Sequence, residues 1–170
     1  MEWTSKREER ELTIAVLSDT HIPIKARELP DSLLERLNSA DLIVHCGDFV
    51  ELEVLEQLNG IKETIAVQGN MDYPEVRKVL PVKRCLEVDG FKIGIIHGSG
   101  GAAGLMGRVR KEFDDVDCII FGHSHSPCNE IVSETLLFNP GSPTDTVFAP
   151  YRSFGMLRLG DKIEGELIRL

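Results

Sequence analysis

The fold is decided by the stretch Leu12-Thr13-Ile14-Ala15-Val16-Leu17-Ser18-Asp19-Thr20-His21. Its first half is β-rich and almost continuously apolar, which is typical of a strand buried on both faces. The strand ends in a polar loop that carries a carboxylate and an imidazole. The same arrangement recurs downstream, where Leu42-Ile43-Val44-His45-Cys46 leads to Gly47-Asp48 and Thr64-Ile65-Ala66-Val67 leads to Gly69-Asn70.

Helical patterns separate these strands. Leucines at helical spacing follow Asp31, which we predict as the helix N-cap. The run from Glu51 to Leu58 repeats the pattern, and Asn59-Gly60 is predicted to stop it. Alternating strands and helices imply parallel strands with right-handed crossovers. In such sheets ligands bind at the carboxyl ends of the strands, which is where the polar loops lie.

The second half of the chain is richer in strands. Asp89-Gly90 is a hairpin signal between the strand-like runs Cys85 to Val88 and Phe91 to Ile96. The run from Ala102 to Phe113 is predicted as a helix, although its glycines weaken the pattern. The remaining strands are predicted at Cys118 to Phe121, Glu130 to Val132, Thr135 to Phe138, Phe154 to Leu159 and Ile163 to Leu170. The sum predicts two sheets packed face to face, with helices outside.

Composition restricts the classes of partner. The net charge of −9 argues against an extended nucleic-acid surface, which would need a basic stripe. It does not exclude a phosphate substrate, because bound cations can reverse the local sign. We expect a polar N-terminal arm over residues 1–11 and a single domain over residues 12–170. We find no apolar leader and no run of membrane-spanning length, so we predict a cytoplasmic protein without membrane contact.

Several reactive side chains are interpreted as structural. No cysteines form a C-x-x-C pair, and we predict reduced thiols at Cys46, Cys85, Cys118 and Cys128. His45 sits inside the second strand and is predicted to be a packed histidine. Arg108 and Arg110 are interpreted as solvated residues of a helix face, with substrate contact as the alternative.

The polar residues that close the strands form one set of two carboxylates, one amide and four imidazoles: Asp19, His21, Asp48, Asn70, His97, His123 and His125. The last three lie in His97-Gly98-Ser99-Gly100 and Gly122-His123-Ser124-His125. Asp19/His21 and His123/His125 are i,i+2 pairs. In extended backbone such side chains point to the same side, so each pair could bind one ion.

These ligand types favour transition metals. Imidazole with carboxylate suits manganese, iron, zinc, nickel or cobalt, whereas calcium prefers oxygen ligands and structural zinc prefers thiolates. The set is too large for one catalytic ion, but it fits two if one carboxylate bridges them. Two ions about 4 Å apart can clamp a phosphoryl group and generate a hydroxide nucleophile near neutral pH. The pattern therefore predicts phosphoryl chemistry.

The order D-x-H, G-D, G-N, H-G, G-H-x-H resembles the calcineurin-like metallophosphoesterase superfamily. In this chain it reads Asp19-Thr20-His21, Gly47-Asp48, Gly69-Asn70, His97-Gly98 and Gly122-His123-Ser124-His125. The resemblance spans about residues 12 to 145 and includes Asn139-Pro140-Gly141-Ser142, which is similar to a loop in small bacterial and archaeal phosphodiesterases of the superfamily. It implies an α/β fold, a four-layer α-β-β-α sandwich of two mixed sheets with helices on the outer faces.

The resemblance also implies roles for the set. One metal would be held by Asp19, His21 and His125, and the second by Asn70, His97 and His123, with Asp48 bridging both. Asn70 would have a catalytic role as well, because it would lie near a substrate phosphate oxygen. The cofactors would be two divalent ions, with manganese as first choice and nickel, cobalt, iron, zinc or magnesium as alternatives. A hydroxide held by the metals would attack the phosphorus of a small phosphodiester, for which a nucleotide-derived ester is one candidate.

One position departs from the family pattern. Many members carry histidine directly after the Gly-Asn, where it helps to protonate the leaving oxygen, but this chain has Met71 followed by Asp72. Either another group protonates the leaving oxygen, or the substrate must have a good leaving group. The alternatives to a phosphodiesterase are a metal-binding scaffold of the same fold with little or no turnover, a phosphomonoesterase, or a protein phosphatase. A homo-oligomer is expected from analogy alone.

Overall fold

The structure, a computed structural model, describes residues 10–170. Residues 1–9, most of the predicted polar arm, lie outside the described residues. In chain order the elements are β1 (Leu12–Leu17), α1 (Asp31–Leu37), β2 (Leu42–His45), α2 (Leu52–Ile61), β3 (Thr64–Ala66), α3 (Pro74–Val79), β4 (Lys83–Val88), β5 (Phe91–Ile96), α4 (Leu105–Arg110), β6 (Cys118–Ile120), β7 (Cys128–Val132), β8 (Thr135–Asn139), β9 (Ser153–Leu159) and β10 (Ile163–Arg169).

The strands form two mixed sheets of five strands each. The first has the order β10-β9-β1-β2-β3, in which β1, β2 and β3 are parallel and β9 pairs antiparallel with both β1 and β10. The second has the order β4-β5-β6-β8-β7, with a parallel centre of β5, β6 and β8. Because parallel strands share a direction, their carboxyl ends bring the following loops to one edge of each sheet.

Alternating residues of β1 show how the layers pack. Ile14 and Val16 face the second sheet, where they share an apolar cluster with Ile95. Ala15 and Leu17 face the opposite way and pack in the cluster that includes buried residues of α1 and α2. A third cluster joins α4 to the outer face of the second sheet. The predicted four-layer α-β-β-α sandwich is therefore confirmed.

Helix boundaries differ from the sequence expectation. Helix α2 runs through Asn59-Gly60 to Ile61, so the predicted stop is wrong. The buried side chains of Val54 and Leu58 hold its inner face on the core, and this packing outweighs the weak propensity of glycine. At α1 the N-cap is the residue before Asp31, and Asp31 itself is the first helical residue.

Two other helices show the limits of local pattern. Helix α3 has too few residues to display a helical period, and it was not predicted. Helix α4 begins only after Gly104, whose φ of 75° is left-handed, so the residues from Ala102 onward form a loop rather than its first turn. The observed strand ends differ from the predicted ones by a residue or two. For example, Cys46, Val67 and Phe121 were predicted as strand residues and lie just beyond the strands.

The sequence also predicted reduced cysteines and no membrane-spanning segment. All four cysteines are free thiols; Cys46 and Cys118 are buried, whereas Cys85 is exposed and Cys128 is half-buried. Within residues 10–170 no helix is long and apolar enough to cross a membrane.

Substitutions at two glycines would distinguish the effect of helix propensity on stability from the effect of core packing. At Gly60 a Cβ would meet nothing within 4 Å, whereas at Gly155 it would lie 2.3 Å from Cε1 of Phe138. We expect Gly60→Ala to raise the free energy of unfolding by about 0.5 kcal/mol, since alanine loses less backbone entropy in a helix. We expect Gly155→Ala to lower it by about 1–3 kcal/mol through overpacking. Urea unfolding measures both, and equal effects would contradict the packing described here.

Candidate metal centre

The predicted ligands all follow carboxyl ends of parallel strands, and the structure brings them to one place. They come from the loops after β1 (Asp19, His21), β2 (Asp48), β3 (Asn70), β5 (His97) and β6 (His123, His125). The first three loops belong to one sheet and the last two to the other. The cluster therefore lies where the carboxyl edges of both sheets meet.

The carboxylate of Asp19 is at the centre of this cluster and its side chain is fully buried. Its Oδ2 accepts a hydrogen bond from the backbone N–H of His123 at 3.0 Å. Its Oδ1 has no hydrogen-bond partner among the described residues. This oxygen lies 3.2 Å from Nε2 of His125, 3.6 Å from Nε2 of His21 and 3.8 Å from Nε2 of His97. A buried anionic oxygen without a partner is costly, so the site fits a cation.

Backbone carbonyls fix the orientation of two imidazoles. His97 donates from Nδ1 to the carbonyl of Cys46 at 2.7 Å, and His123 donates from Nε2 to the carbonyl of Gly100 at 2.7 Å. The remaining nitrogens face Oδ1 of Asn70, at 3.0 Å from Nε2 of His97 and 3.1 Å from Nδ1 of His123. Lone pairs on these three atoms converge, which is an arrangement suited to a shared positive ion.

Asp48 lies between the two halves of the cluster. Its Oδ2 is 3.4 Å from Nε2 of His21 and 3.2 Å from Nε2 of His97, while its Oδ1 accepts the backbone N–H of Met71 at 2.7 Å. Two groups of ligand atoms could each hold an ion, namely Asp19 with His21 and His125, and Asp19 with Asp48 and His97. Asp19 belongs to both groups, whereas Asp48 belongs to the second and also approaches His21 of the first.

The charges of the cluster are strongly coupled. Burial alone would lower the pKa of His97, but the carboxylates of Asp19 and Asp48 raise it to about 9. Burial alone would raise the pKa of Asp19, but the neighbouring imidazoles of His97, His125 and His21 hold it far below its ordinary value. The site thus favours a positive charge beside its carboxylates, and a metal ion would provide it.

The structure directs His123 and His125 to different halves of the cluster, so the i,i+2 grouping of this pair on one ion is not observed. His125 faces Asp19 and lies 3.2 Å from Nε2 of His21, whereas His123 faces Asn70. The prediction assumed extended backbone, but both histidines have left-handed φ angles of 70° and 56°. The turn between them sends neighbouring side chains to the two different halves of the cluster.

His45 stays outside the cluster. Its Nδ1 accepts the backbone N–H of Gly47 at 3.1 Å and its Nε2 is 3.1 Å from the hydroxyl of Thr20. Its ring stacks on Phe49 at a centroid distance of 3.6 Å. Complete burial lowers its pKa to about 3, so this imidazole is neutral. These contacts match the structural role expected for it.

Sequence reasoning missed Asp145. Its Oδ2 accepts a short hydrogen bond from Nδ1 of His125, which leaves Nε2 of that ring directed at Asp19. Its Oδ1 accepts the backbone N–H groups of Val147 at 2.8 Å and Phe148 at 3.2 Å. Burial would raise the pKa of Asp145, but these donors and His125 lower it to about 2. A carboxylate on the outer nitrogen of a ligating histidine orients the ring and increases its basicity.

The segment from Asn139 to Asp145 supports the ligand loops as well. The hydroxyl of Ser142 donates to the carbonyl of Asp19 at 2.7 Å, and the amide of Asn139 donates to the carbonyl of Gly122 at 3.0 Å. The hydroxyl of Thr144 donates to the carbonyl of Thr20 at 2.7 Å. The loop Asn139-Pro140-Gly141-Ser142 was a sequence signal for part of this support, but nothing in the sequence pointed to Asp145.

Two mixed sheets whose carboxyl edges gather imidazoles, carboxylates and an amide define an α/β-sandwich protein with a candidate binuclear metal centre. The chain belongs to the calcineurin-like phosphoesterase superfamily, whose domain model matches residues 12–162. A probable metallophosphoesterase of Methanocaldococcus jannaschii is 40% identical over 161 residues, which cover 92% of this chain and 81% of that protein. The resemblance identified from the sequence is therefore confirmed.

Solved structures agree on the fold. An archaeal phosphodiesterase is 26% identical with a TM-score of 0.71, and the match covers 94% of this chain and all (100%) of that chain. Vacuolar protein sorting 29 of Cryptosporidium parvum has a TM-score of 0.76 at 24% identity, with 95% of this chain and 99% of that chain covered. The second likeness, at this identity, shows the fold alone.

The contact between Asp145 and His125 makes a prediction about metal affinity. We expect Asp145→Asn to weaken binding of a divalent ion by about 10–100-fold, because the neutral amide no longer raises the basicity of the His125 ring. Calorimetry of metal-stripped protein with Mn²⁺ measures the change. Asp115→Asn is the matched control, since the Asp115 side chain is 94% exposed and contacts only Lys92 among the salt bridges of the described residues. Unchanged affinity in Asp145→Asn would contradict the positioning role.

Proposed function

We propose that this protein is a metal-dependent phosphodiesterase with a binuclear centre, hydrolysing a small phosphodiester. The observation that carries the proposal is the buried, unpartnered Oδ1 of Asp19, which lies among three imidazole nitrogens. Membership of the phosphoesterase superfamily supports the reaction class. The likeness to an archaeal phosphodiesterase supports a diester over a monoester.

The ligand roles follow the two halves of the cluster. We assign one ion to Asp19, His21 and His125 and the second to Asn70, His97 and His123, with Asp48 bridging. The position of Asp48 between His21 and His97 supports the bridge. Manganese is our first choice of metal on the mixed nitrogen and oxygen donors, with nickel, cobalt, iron, zinc or magnesium as alternatives.

Bound divalent ions would supply an activated water at neutral pH and stabilise the charge that develops on the phosphate oxygens. The protein's own residues orient the reactants. Carbonyls and Asp145 hold the imidazoles of His97, His123 and His125 in place, so little reorganisation is needed on binding. Asn70 is exposed at the rim of the cluster, where its amide can approach a phosphate oxygen and help to orient the ester.

The group that would protonate the leaving oxygen is missing from the usual position. Met71 is 47% exposed there and cannot donate a proton. The adjacent Asp72 is buried, and its carboxylate accepts the backbone N–H groups of Gly69 at 2.7 Å, Val50 at 2.8 Å and Asp48 at 3.2 Å. Because the Asp72 carboxylate accepts these backbone N–H groups, it is not free to donate a proton to a substrate. We therefore infer that this site works on esters whose leaving group needs no protonation.

A metal-binding scaffold without turnover is the second candidate. The observation that favours it is Met71 at the position of the acid. A cytoplasmic location and a homo-oligomeric state remain predictions from the sequence and from analogy.

Metal restoration tests the proposed reaction. We expect metal-stripped protein to be inactive on bis(4-nitrophenyl) phosphate and to recover turnover when Mn²⁺ is added, because the ions supply the nucleophile. His123→Ala should lower the restored kcat by about 100-fold or more, since it removes a proposed ligand. Release of 4-nitrophenolate measures the rate, and thermal unfolding checks that the variant is folded.

The control is Ser126→Ala, an exposed residue in the same loop. It should keep the full metal-restored rate. Tight metal binding without turnover on any ester would favour the scaffold instead. Turnover of 4-nitrophenyl phosphate in preference to the diester would favour a phosphomonoesterase.

Replacement of Met71 tests the leaving-group argument. The native protein should hydrolyse aryl diesters much faster than alkyl diesters. We expect Met71→His to raise kcat on a dialkyl phosphate by about 100-fold, as general acid catalysis supplies factors of this order, and to change aryl hydrolysis little. Met71→Gln is the size-matched control without an acid. Equal native rates on both ester classes would rule out this interpretation of Met71.

A further inference from the structure

A cavity of about 290 Å³ adjoins the metal cluster, and Asn70 and His97 form part of its lining. The buried side chains of Ile96 and Val109 and the exposed side chain of Val82 give the cavity apolar surface. A phosphate placed on the cluster would therefore have one of its ester groups beside an apolar recess.

Arg77 lies on the lining of this cavity, and backbone carbonyls hold its guanidinium. Its Nε donates to the carbonyl of Asp72 at 2.8 Å and its Nη2 donates to the carbonyl of Asn70. The arginine thus ties down the loop that carries a proposed metal ligand. Its orientation is set before any ligand binds.

Arg108 lines the cavity from the other loop. Its Nε donates to the carbonyl of Ser99 at 2.9 Å, its Nη1 to that of Ala103 at 3.0 Å, and its Nη2 to that of Gly101. Arg108 is an exposed residue of α4, as expected, and its hydrogen bonds also hold the loop after β5 in place. Carbonyls accept from three of the five N–H donors of this guanidinium, which leaves a ligand its charge, its flat face and two N–H groups.

The local charge is positive although the chain carries −9. Glu112 also lines the cavity, but its carboxylate lies 3.1 Å from the ammonium of Lys83, which offsets it. Among the charged residues that line the cavity, Arg77 and Arg108 therefore give it a net positive charge. Guanidinium groups stack on aromatic rings, and apolar walls favour burial of such rings. A polymer would not fit in a recess of this size, whereas one ring system would.

We propose that this cavity binds a flat aromatic substituent of the phosphate ester, so that the preferred substrate is an aryl or nucleoside ester. The placement of the phosphate rests on the proposed function, and the aromatic preference is the new element. It differs from the leaving-group argument at Met71, because it concerns binding rather than departure of the group.

Phosphonates test the cavity without turnover, since a phosphoesterase does not cleave a C–P bond. The Kd of Mn²⁺-loaded protein is measured by calorimetry for methylphosphonate and phenylphosphonate. We expect phenylphosphonate to bind about tenfold tighter or better, because its ring is buried in the recess. The ratio of the two Kd values is the readout. A change in the electrostatic attraction of the site for a phosphonate group affects both ligands alike, so it leaves the ratio unchanged.

Val82→Glu places a carboxylate on the cavity lining and should abolish the ratio. Val79→Glu is the matched control, because Val79 is 60% exposed against 63% for Val82 but does not line the cavity. That variant should keep the ratio. An equal Kd for both phosphonates, a ratio preserved in Val82→Glu, or a ratio lost equally in both variants would overturn the proposal.

The failures of the two proposals are distinguishable. Phosphodiester turnover with no preference between the phosphonates would overturn the cavity assignment and leave the enzyme. A phenyl preference that Val82→Glu removes, without turnover of any ester, would support the cavity and overturn the phosphodiesterase.

Discussion

The buried carboxylate of Asp19 is the constraint on which the rest of the site depends. It leaves β1 of the first sheet and accepts a backbone N–H from His123 of the second sheet, so it joins the two carboxyl edges. Its other oxygen is buried without a partner among the described residues and faces His21 of the first sheet and His97 and His125 of the second. A buried charge is stable only beside a compensating positive charge. Because the packing of the two sheets buries this carboxylate, the same packing creates the need for a positive charge at the site.

Holding that charge in place requires support from a part of the chain far away in sequence. The hydroxyls of Ser142 and Thr144 bind carbonyls of the Asp19 loop, while Asp145 binds the ring of His125. One segment therefore positions ligands from two sheets. Such an arrangement is expected to make the ligand geometry rigid, because a displaced segment would release an imidazole and two backbone carbonyls together.

The parts of the fold that depend on local pattern were predictable, and those that depend on tertiary contact were not. Strand β1 was predicted to the residue, and every other strand was located within a residue or two. The central strands were marked by continuous apolar runs, because both of their faces are buried. Helix α2 passed the expected stop at Gly60 since packing of its inner face outweighs a weak propensity. Helix α3 was missed because so short a helix is stabilised by its burial of Val76 rather than by a periodic sequence.

The members of the cluster could be listed from the sequence, but the i,i+2 spacing of the ligands did not show which of them face one another. Five of its members, Asp19, His21, Asp48, His123 and His125, have left-handed backbone, which non-glycine residues rarely adopt and which no side-chain pattern encodes. Each such residue costs of order 1–3 kcal/mol, and the surrounding hydrogen bonds must offset it. Left-handed φ alone does not decide where a ligand points, because Asp19 and His21 share it and lie in one ligand group, whereas His123 and His125 share it and lie apart. The hydrogen bonds decide, since Asp145 holds the ring of His125 toward Asp19 and the carbonyl of Gly100 holds the ring of His123 toward Asn70.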